Sequence, residues 1–329
     1  MPQPPTLPGT VTVLEAGTSR KRPRPAPIRL ALAGSTLMAA ALLPAPAAQA
    51  APADDIRINE VVTTGSVDDS IELFDKGTAT VDVSGWILKD DDNGSKFSPD
   101  GEAVTLTAAG AAGGAYVAAE RNGDASGTSQ PSVLRCDVTT GPGGSLTATK
   151  EWNLTAGLPA VGSNQGFEAI TWIPDATLTA AGFKDESTGA AYDPDRYGAH
   201  TGGVFFLGVE GTGTVYGYVL QDGGAAARVA TIASGMPAVM ELQWEPQAAR
   251  LWLVCDDTCD GRHRTMKIGA AGTFAPTAAY DRPSGMPDLD NEGFALAGSD
   301  ECAGGAKPVY WSDDGSTGGH ALRRGTIAC

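Results

Sequence analysis

The segment NQGFEAI, at residues 164–170, decides the fold because the chain contains a near copy of it, NEGFAL, at residues 291–296. Each copy follows a Gly-Leu-Pro or Gly-Met-Pro turn, which begins at Gly157 or at Gly285. A third such turn begins at Gly235 and leads into another apolar run. Three times, therefore, the chain turns at a Gly-Pro corner, presents a carboxylate or carboxamide and enters an apolar strand.

The spacing of these three turns predicts a β-propeller. Gly285 lies 50 residues after Gly235, and Gly235 lies 78 residues after Gly157. The shorter spacing suits one propeller blade, and the longer one suits a blade that carries a long loop. The strand-like segments between residues 116 and 327 fill only three to four blades of four strands, so we expect an incomplete propeller.

The composition agrees with an all-β protein. Glycine is abundant, with 43 residues, and short Val, Ile, Leu, Phe and Tyr runs alternate with Gly, Pro, Asn and Asp. No long segment carries the apolar stripe of an amphipathic helix. We therefore expect a small β-sandwich at residues 56–118 and a partial propeller at residues 119–329.

The first 50 residues have the pattern of a signal peptide and its leader. A basic stretch from Arg20 to Arg29 precedes an apolar run from Leu30 to Leu43, and small residues follow at 48–50. The apolar run is too short to anchor a helix in a bilayer, and no other run approaches that length. We predict a secreted, extracellular protein with no membrane span once the signal is removed.

The remaining chain, residues 51–329, is strongly acidic. It holds 18 Lys and Arg against 38 Asp and Glu, a formal charge of −20. Such a field repels phosphate backbones and anionic lipid, so we expect no nucleic-acid partner. Cations are the natural counter-charges, although acidic surfaces are also common among exported proteins.

Export permits disulfide bonds among the five cysteines. Cys255 and Cys259 could close a tight loop, and Cys302 and Cys329 could tie the C-terminal end to the preceding strands, which leaves Cys136 over. The spacing of Cys255 and Cys259 has no matching second pair nearby, so a disulfide is favoured over a metal site.

Residues 56–62 and 80–88 alternate apolar and polar side chains, as strands with one solvated face do. The motifs INE at 58–60, IEL at 71–73 and VSGWIL at 83–88 occur in the order expected of the lamin-tail domain, which the chain resembles from Ile56 to about Ala118. The resemblance implies an immunoglobulin-like sandwich that acts as an accessory or interaction module and brings no catalytic residue.

The densest carboxylate run is DDDNG at residues 90–94. It is compatible with an oxygen-ligand loop for a cation and with a hairpin turn that has Asn-Gly at its tip. The run lacks a distal Glu at calcium-loop spacing, which favours the turn.

Residues 119–329 resemble a secreted propeller family described as having esterase-like activity of phytase. The resemblance rests on GFEAI at 166–170, on NEGFA at 291–295 and on an insertion at 185–200. Early blades of that family have no counterpart here. Residues 116–122 fit both the end of the sandwich and the middle of a blade.

Glu168, Glu241 and Glu292 follow the three Gly-Pro corners. If the inner strands bring them to the propeller axis, they form a ring of hard oxygen ligands suited to Ca²⁺. A cation held there would clamp a phosphate and polarise its P–O bond, with Arg121 on the substrate and Glu120 as a further ligand. The alternative is that these carboxylates accept backbone N–H groups and lock neighbouring blades together.

Other candidate residues carry a weaker signal. Asp313 and His320 could act as base and acid, but the Asp-Asp-Gly sequence at 313–315 is foremost a turn. We expect His200 and His263 at the surface. The chain has no Gly-x-Ser-x-Gly elbow and no phosphate loop, which disfavours a serine esterase and a nucleotide-binding protein.

Two functional hypotheses follow. The first is a secreted binding or scaffold protein, in which the sandwich is an adaptor and the propeller is a platform for a cation and for an extracellular ligand or cell-surface component. The second is a Ca²⁺-assisted phosphoester or ester hydrolase. It would use Glu168, Glu241 and Glu292 on the metal, with Glu168 and Arg121 as the catalytic residues.

Overall fold

The computed structural model describes residues 12–13, 56–62, 70–75, 99–125, 127–139 and 148–329, and side chains only within the part that begins at residue 100. The predicted signal peptide and leader lie outside these residues, apart from 12–13. The predicted strand at 80–88 and the acidic run at 90–94 also lie outside them.

Four antiparallel sheets of four strands dominate the described chain. The first sheet contains β4 (Pro99–Leu106), β5 (Ala115–Asn122), β6 (Ser129–Cys136) and β7 (Ala148–Asn153). The second contains β8 (Phe167–Pro174), β11 (Gly203–Val209), β12 (Thr214–Leu220) and β13 (Ala226–Ala233). The third contains β14 (Glu241–Glu245), β15 (Arg250–Val254), β16 (His263–Ile268) and β17 (Phe274–Tyr280). The fourth contains β18 (Gly293–Leu296), β19 (Ala306–Ser312), β20 (Leu322–Ala328) and β1 (Thr12–Val13).

Within the first three sheets the strands pair in the order in which they follow one another along the chain. This meander is the arrangement of propeller blades. In the fourth sheet β1, from the N-terminal end, pairs with β20 as the fourth strand. The predicted all-β class and the count of about four blades are therefore confirmed, and α1 (Asp175–Ala180) is the single α-helix among the described residues.

The first strands of the four sheets surround a common axis. β4 contacts β8, β8 contacts β14, and β14 contacts β18. The ring is completed by β2 (Ile56–Val62), which pairs with β3 (Ser70–Asp75) and contacts both β18 and β4. The residues that begin these inner strands consequently lie at one end of the axis.

Apolar clusters fill the space between successive sheets. Tyr116 and Trp152 of the first sheet pack with Phe205 of the second. Phe206 of the second sheet meets Phe274 of the third at a centroid distance of 5.3 Å. A fully buried aromatic side chain stabilises the folded state by roughly 1.5–3 kcal/mol, so these seams hold neighbouring sheets together.

Hydrogen bonds also link the inner strands directly. The backbone N–H of Trp244 in β14 donates to Thr171 Oγ1 in β8 at 3.2 Å. On the other side of β14, Gln243 Nε2 donates to the carbonyl of Leu296 in β18 at 2.9 Å, and the N–H of Leu296 donates to Gln243 Oε1 at 2.6 Å. These contacts set the spacing of β8, β14 and β18 around the axis.

The disulfide predictions are confirmed. Cys255 bonds Cys259, Cys302 bonds Cys329, and Cys136 is a buried free thiol. Burial raises the pKa of the Cys136 thiol to about 11, which keeps it protonated and unreactive at neutral pH. None of the helices in the described ranges has the length and hydropathy needed to cross a membrane.

The structure adds elements that the sequence patterns did not indicate. β4 and β17 were not predicted as strands, and the insertion before β11 contains α1 and the short pair β9 (Lys184–Asp185) and β10 (Ala190–Ala191). Residue 118, the predicted end of the sandwich, lies inside β5 of the first sheet.

Candidate functional site

Several acidic residues near the axis lie where the strand register is interrupted. Phe167 pairs with Val209 and Ala169 pairs with Gly208, so Glu168 between them has no partner in β11. A bulge of this kind adds one residue to a strand and turns its side chain away from the regular alternation. The Glu168 side chain therefore does not have to follow the alternation of inward and outward side chains along β8.

The first sheet contains the same device. In β4 the pairing with β5 passes from Pro99 to Gly101 to Ala103, which leaves Asp100 and Glu102 between paired residues. In β5 the pairing with β6 passes from Ala119 to Arg121 and leaves out Glu120. One carboxyl oxygen of each of Asp100, Glu102 and Glu120 lies within 4.8 Å of the other two.

These bulged residues and two carboxylates from loops form one electrostatic group, which we call the axial cluster: Glu102, Glu120, Glu168, Glu210 and Glu292. Burial raises the pKa of Glu168 well above its ordinary range. The charges of the four other members of the axial cluster raise it further. The structure thus places Glu168 at the centre of the group, with 7% of the residue exposed.

The carboxyl groups of Glu120 and Glu168 interact: Glu168 lowers the pKa of Glu120, and the charge of Glu120 raises the pKa of Glu168. Burial raises the pKa of Glu120 to about 7, because the N–H of Gly166 and the charge of Arg121 only partly offset it. Two interacting carboxyl groups oppose each other's ionisation, because two negative charges in a buried site repel.

Gly166 explains why β8 approaches β5 so closely. A Cβ atom on this residue would lie 2.5 Å from Glu120 Cβ and 2.7 Å from Glu120 Cα, which no side chain tolerates. The Gly166 N–H donates to Glu120 Oε2 at 3.3 Å. The Gly-Phe-Glu sequence therefore brings Glu120 and Glu168 together by omitting a side chain.

Glu292 lies on the other side of the axial cluster, just before β18. Burial raises its pKa to about 8, and the charges of Asp314, Asp290, Asp256 and Glu210 add to the effect. Two of the three predicted ligands, Glu168 and Glu292, thus interact through their charges.

Glu241, the third predicted ligand, occupies a regular position at the start of β14, paired with Val254. It is half-buried, and its Oε1 accepts a hydrogen bond from the N–H of Leu242 at 2.6 Å. Leu242 is the next residue of the same strand, so this hydrogen bond does not join neighbouring blades, which was the structural role left open for these carboxylates. A part for Glu241 in cation binding stays a prediction.

Arg121, the predicted substrate contact, is 27% exposed and paired. Its guanidinium contacts the carboxylate of Asp100 and the side-chain oxygen of Asn164, and it lies 3.5 Å from Glu120 Oε1. The same carboxylates that could hold a cation therefore hold Arg121 in the present arrangement.

The donor set fits a hard cation. The axial cluster and Asp100 offer carboxyl oxygens alone, which are the ligands that Ca²⁺ prefers. The repulsion that raises the pKa of Glu168 would be relieved by a divalent cation, because the cation stabilises the ionised form of each carboxyl. The described residues thus include acidic clusters that could bind a metal.

Sequence reasoning missed several members of this site. Asp100, Glu102 and Glu210 were not singled out, because their strand or loop was not recognised as part of the axis. A signal was available for Glu102, since it precedes Ala103 and Val104 as Glu168 precedes Ala169 and Ile170.

The expectation that His263 lies at the surface was wrong. It is 1% exposed, and its Nε2 accepts a hydrogen bond from Trp311 Nε1 at 2.8 Å. Burial lowers the pKa of His263 to about 4, so it is neutral and structural at physiological pH. His200 is also sheltered, because its side chain is 8% exposed and its ring nitrogens face Asp175 Oδ2 at 2.8 Å and the carbonyl of Gly198 at 2.7 Å.

Residues 49–156 match the family model of the Lamin Tail Domain. The match spans β2, β3 and the whole first sheet, and with the four sheets it confirms the predicted fold class, an immunoglobulin-like sandwich followed by an incomplete propeller. No curated protein matches the chain. The similarity to the phytase-like propeller family stays a prediction.

Among solved structures, the periplasmic gluconolactonase PpgL of Pseudomonas aeruginosa is similar over 79% of this chain and 76% of its own. The two share 12% sequence identity, with a TM-score of 0.38.

Proposed function

We propose that this protein is an exported binding protein whose propeller holds Ca²⁺ in the axial cluster and presents it, together with the lamin-tail-like region, to an extracellular ligand or a cell-surface component. The observation that carries the proposal is the convergence of bulged carboxylates at one end of the axis. A β-bulge gives up part of the regular hydrogen bonding between strands. Four acidic residues nevertheless lie at such interruptions in β4, β5 and β8, namely Asp100, Glu102, Glu120 and Glu168.

The electrostatics support a divalent cation over a structural role alone. Carboxylates that only lock strands together gain from backbone donors, and their pKa values fall. Glu120, Glu168 and Glu292 have raised pKa values instead. Without a cation, therefore, the ionised form of these carboxyl groups is disfavoured. A bound cation with six to eight oxygen ligands would stabilise the ionised form.

Thermal unfolding of the full exported chain tests the proposal. In Ca²⁺ at about 100 times the dissociation constant, the Tm should exceed the value in chelator by about 5–10 °C. Glu168→Gln should abolish this Ca²⁺-dependent rise and should raise the Tm in chelator, because it removes a charge that burial opposes. Glu301→Gln, outside the axial cluster, is the matched control and should keep the Ca²⁺ response.

Glu241→Gln separates the original ring of three glutamates from the axial cluster. A loss of the Ca²⁺ response in this variant would place Glu241 among the ligands, and an unchanged response would limit it to its backbone contact. Equal Tm values in Ca²⁺ and in chelator for the unaltered protein would contradict the proposal.

A second candidate function, a Ca²⁺-assisted phosphoester or ester hydrolase, is favoured by one observation. Burial raises the pKa of Glu120 to about 7, which is the range that suits a general acid at neutral pH. A cation bound by Asp100 would also compete with Arg121 for that carboxylate and release the guanidinium for an anionic substrate. In this hypothesis Glu168 handles the proton and Arg121 contacts the substrate.

Turnover of a chromogenic phosphate ester and of a chromogenic acyl ester, each with Ca²⁺ and with chelator, tests the second candidate. Ca²⁺-dependent hydrolysis that disappears in Glu168→Gln and Arg121→Ala, with the fold intact by circular dichroism, would establish the hydrolase. Ca²⁺ binding without turnover would leave the binding protein.

A further inference from the structure

A second group of carboxylates lies where the loops of the third and fourth sheets meet, and we call it the seam cluster: Asp256, Asp257 and Asp290. Asp256 and Asp257 follow β15, and Asp290 precedes β18. One carboxyl oxygen of each lies within 4.8 Å of the other two. This cluster contains no residue of the axial cluster.

The loop that carries Asp256 and Asp257 is rigid. The disulfide between Cys255 and Cys259 closes it, and Asp256 Oδ1 accepts hydrogen bonds from Thr258 N at 3.1 Å and Thr258 Oγ1 at 2.6 Å. The two sulfur atoms are consumed by the disulfide, which removes them as metal ligands and leaves oxygen donors.

An independent observation next to the seam cluster points to a ligand. The side chain of Asp313 is 0% exposed, and its Oδ2 accepts hydrogen bonds from Arg323 Nη1 at 2.9 Å and Thr317 N at 2.7 Å. Within the part of the chain that the structure describes, no donor reaches its other oxygen, Oδ1. A buried acceptor without a partner costs about 1–3 kcal/mol, so such an atom calls for a partner.

Asp313 Oδ1 lies on the side of Asp290. A Cβ atom placed on Gly315 would be 3.4 Å from Asp313 Oδ1 and 3.6 Å from Asp290 Cβ, so both groups border the same small space. The Asp314 N–H donates to the carbonyl of Asp290 at 2.9 Å, which fixes the two loops against each other.

We propose that the seam cluster is a second Ca²⁺ site, in which Asp256, Asp257 and Asp290 bind one cation that joins the loops of the third and fourth sheets. Water molecules would complete the shell of six to eight oxygens, and one of them would donate a hydrogen bond to the unpartnered Oδ1 of Asp313. Asp313 keeps its ion pair with Arg323 through Oδ2, so only the oxygen that has no donor takes part. The site goes beyond the proposed function because it ties two sheets together and contains none of the axial ligands.

Isothermal titration calorimetry of the chelator-stripped full chain with Ca²⁺ tests this site. Asp257→Asn and Asp290→Asn should each remove about one molar equivalent of bound Ca²⁺ or weaken its affinity at least tenfold, since each removes a charged ligand. Asp257 is exposed, so its substitution leaves the core intact. Asp260→Asn is the matched control, because it removes one charge from the same loop outside the cluster and should leave the titration unchanged.

The variants separate this site from the axial one. Binding that survives Glu168→Gln and disappears in Asp290→Asn would support the seam site and contradict the proposed function. The seam site would be overturned by a different pair of results. Ca²⁺ binding would disappear in Glu168→Gln, and Asp257→Asn and Asp290→Asn would bind Ca²⁺ as the control Asp260→Asn does. A chain that binds no Ca²⁺ at all would overturn both.

Discussion

The same Gly-Phe step leads into β8 and opens β18, and yet the glutamates of the two strands reach the axis by different routes. In β18, Gly293 and Phe294 pair with Ser312 and Trp311 in unbroken register, and the glutamate precedes the glycine. In β8, the glutamate follows the phenylalanine and lies in a bulge. The comparison teaches that a repeated motif fixes the strand and its buried aromatic residue, whereas the local register decides where a charged side chain points.

The largest expected effect concerns the feature that the two strands share. Phe167 is 0% exposed in the seam between the first two sheets, and Phe294 is 4% exposed among Trp252, His263 and Trp311. Phe167→Ala and Phe294→Ala should each lower the free energy of unfolding by about 3–5 kcal/mol, measured by chemical denaturation. A loss below about 1 kcal/mol in one variant alone would break the equivalence of the two strands.

The next effect is specific to β8. Gly166→Ala should lower the free energy of unfolding by about 1–3 kcal/mol, because the new methyl group would overlap the backbone and Cβ of Glu120. Gly127→Ala is the control, since no atom lies within 4 Å of the position that its Cβ would take. Equal free energies of unfolding for the two variants would show that Gly166 does not lie against Glu120 as closely as the structure places it.

A smaller effect compares the two links from β14 to the sister strands. Thr171→Val removes one hydrogen bond to β8 and should cost about 1 kcal/mol, whereas Gln243→Leu removes two hydrogen bonds to β18 and should cost about 2 kcal/mol. Chemical denaturation of both variants measures the difference. The reverse order would mean that β14 is held mainly by β8.

The local sequence pattern predicted most of the strands but not the ones that depend on tertiary contacts. The alternating apolar runs and Gly-Pro corners indicated strands between residues 116 and 327, among them β12, and they indicated three to four blades. They did not indicate β17, because FAPTAAY at 274–280 has weak alternation and a proline. Pairing with β16 makes it a strand, and that is a tertiary contact.

The site was predictable only in part for the same reason. Glu168 and Glu292 could be found because they stand beside a repeated motif. Glu210 is a residue of no motif, and Glu102 shares only the short Glu-Ala step of Glu168. Both enter the axial cluster because β4 and the end of β11 lie beside β8 in space. His263, surrounded by arginines in sequence, was misplaced because its burial depends on Phe294 and Trp311 of another sheet.

The titration of Glu292 and Glu168 makes the stability of the folded chain depend on pH. The folded-state pKa of Glu292 is about 8, above its ordinary value of 4.5, so between these values the folded chain binds more protons than the unfolded chain. Its stabilising contribution is present below about pH 4.5 and is lost as the pH rises towards about 8. In chelator, the Tm should therefore fall from about pH 5 to about pH 8.

Variants sharpen this last comparison. Glu292→Gln and Glu168→Gln should each flatten the fall in Tm, and Glu168→Gln should do so more strongly because Glu168 is the more buried. Added Ca²⁺ should also flatten it, because the cation favours the ionised carboxylates. A Tm that rises over this pH range in chelator would contradict the raised pKa values.

The sequence by itself determined the all-β class, the repeated strand beginnings, the two disulfides and an acidic balance, because each of these follows from residue type and local spacing. Only the tertiary structure decided that the bulges of β4, β5 and β8 gather carboxylates at one end of the axis. Register and proximity arise from pairing between strands that are distant in the chain, and no local pattern encodes which residue a bulge leaves unpaired.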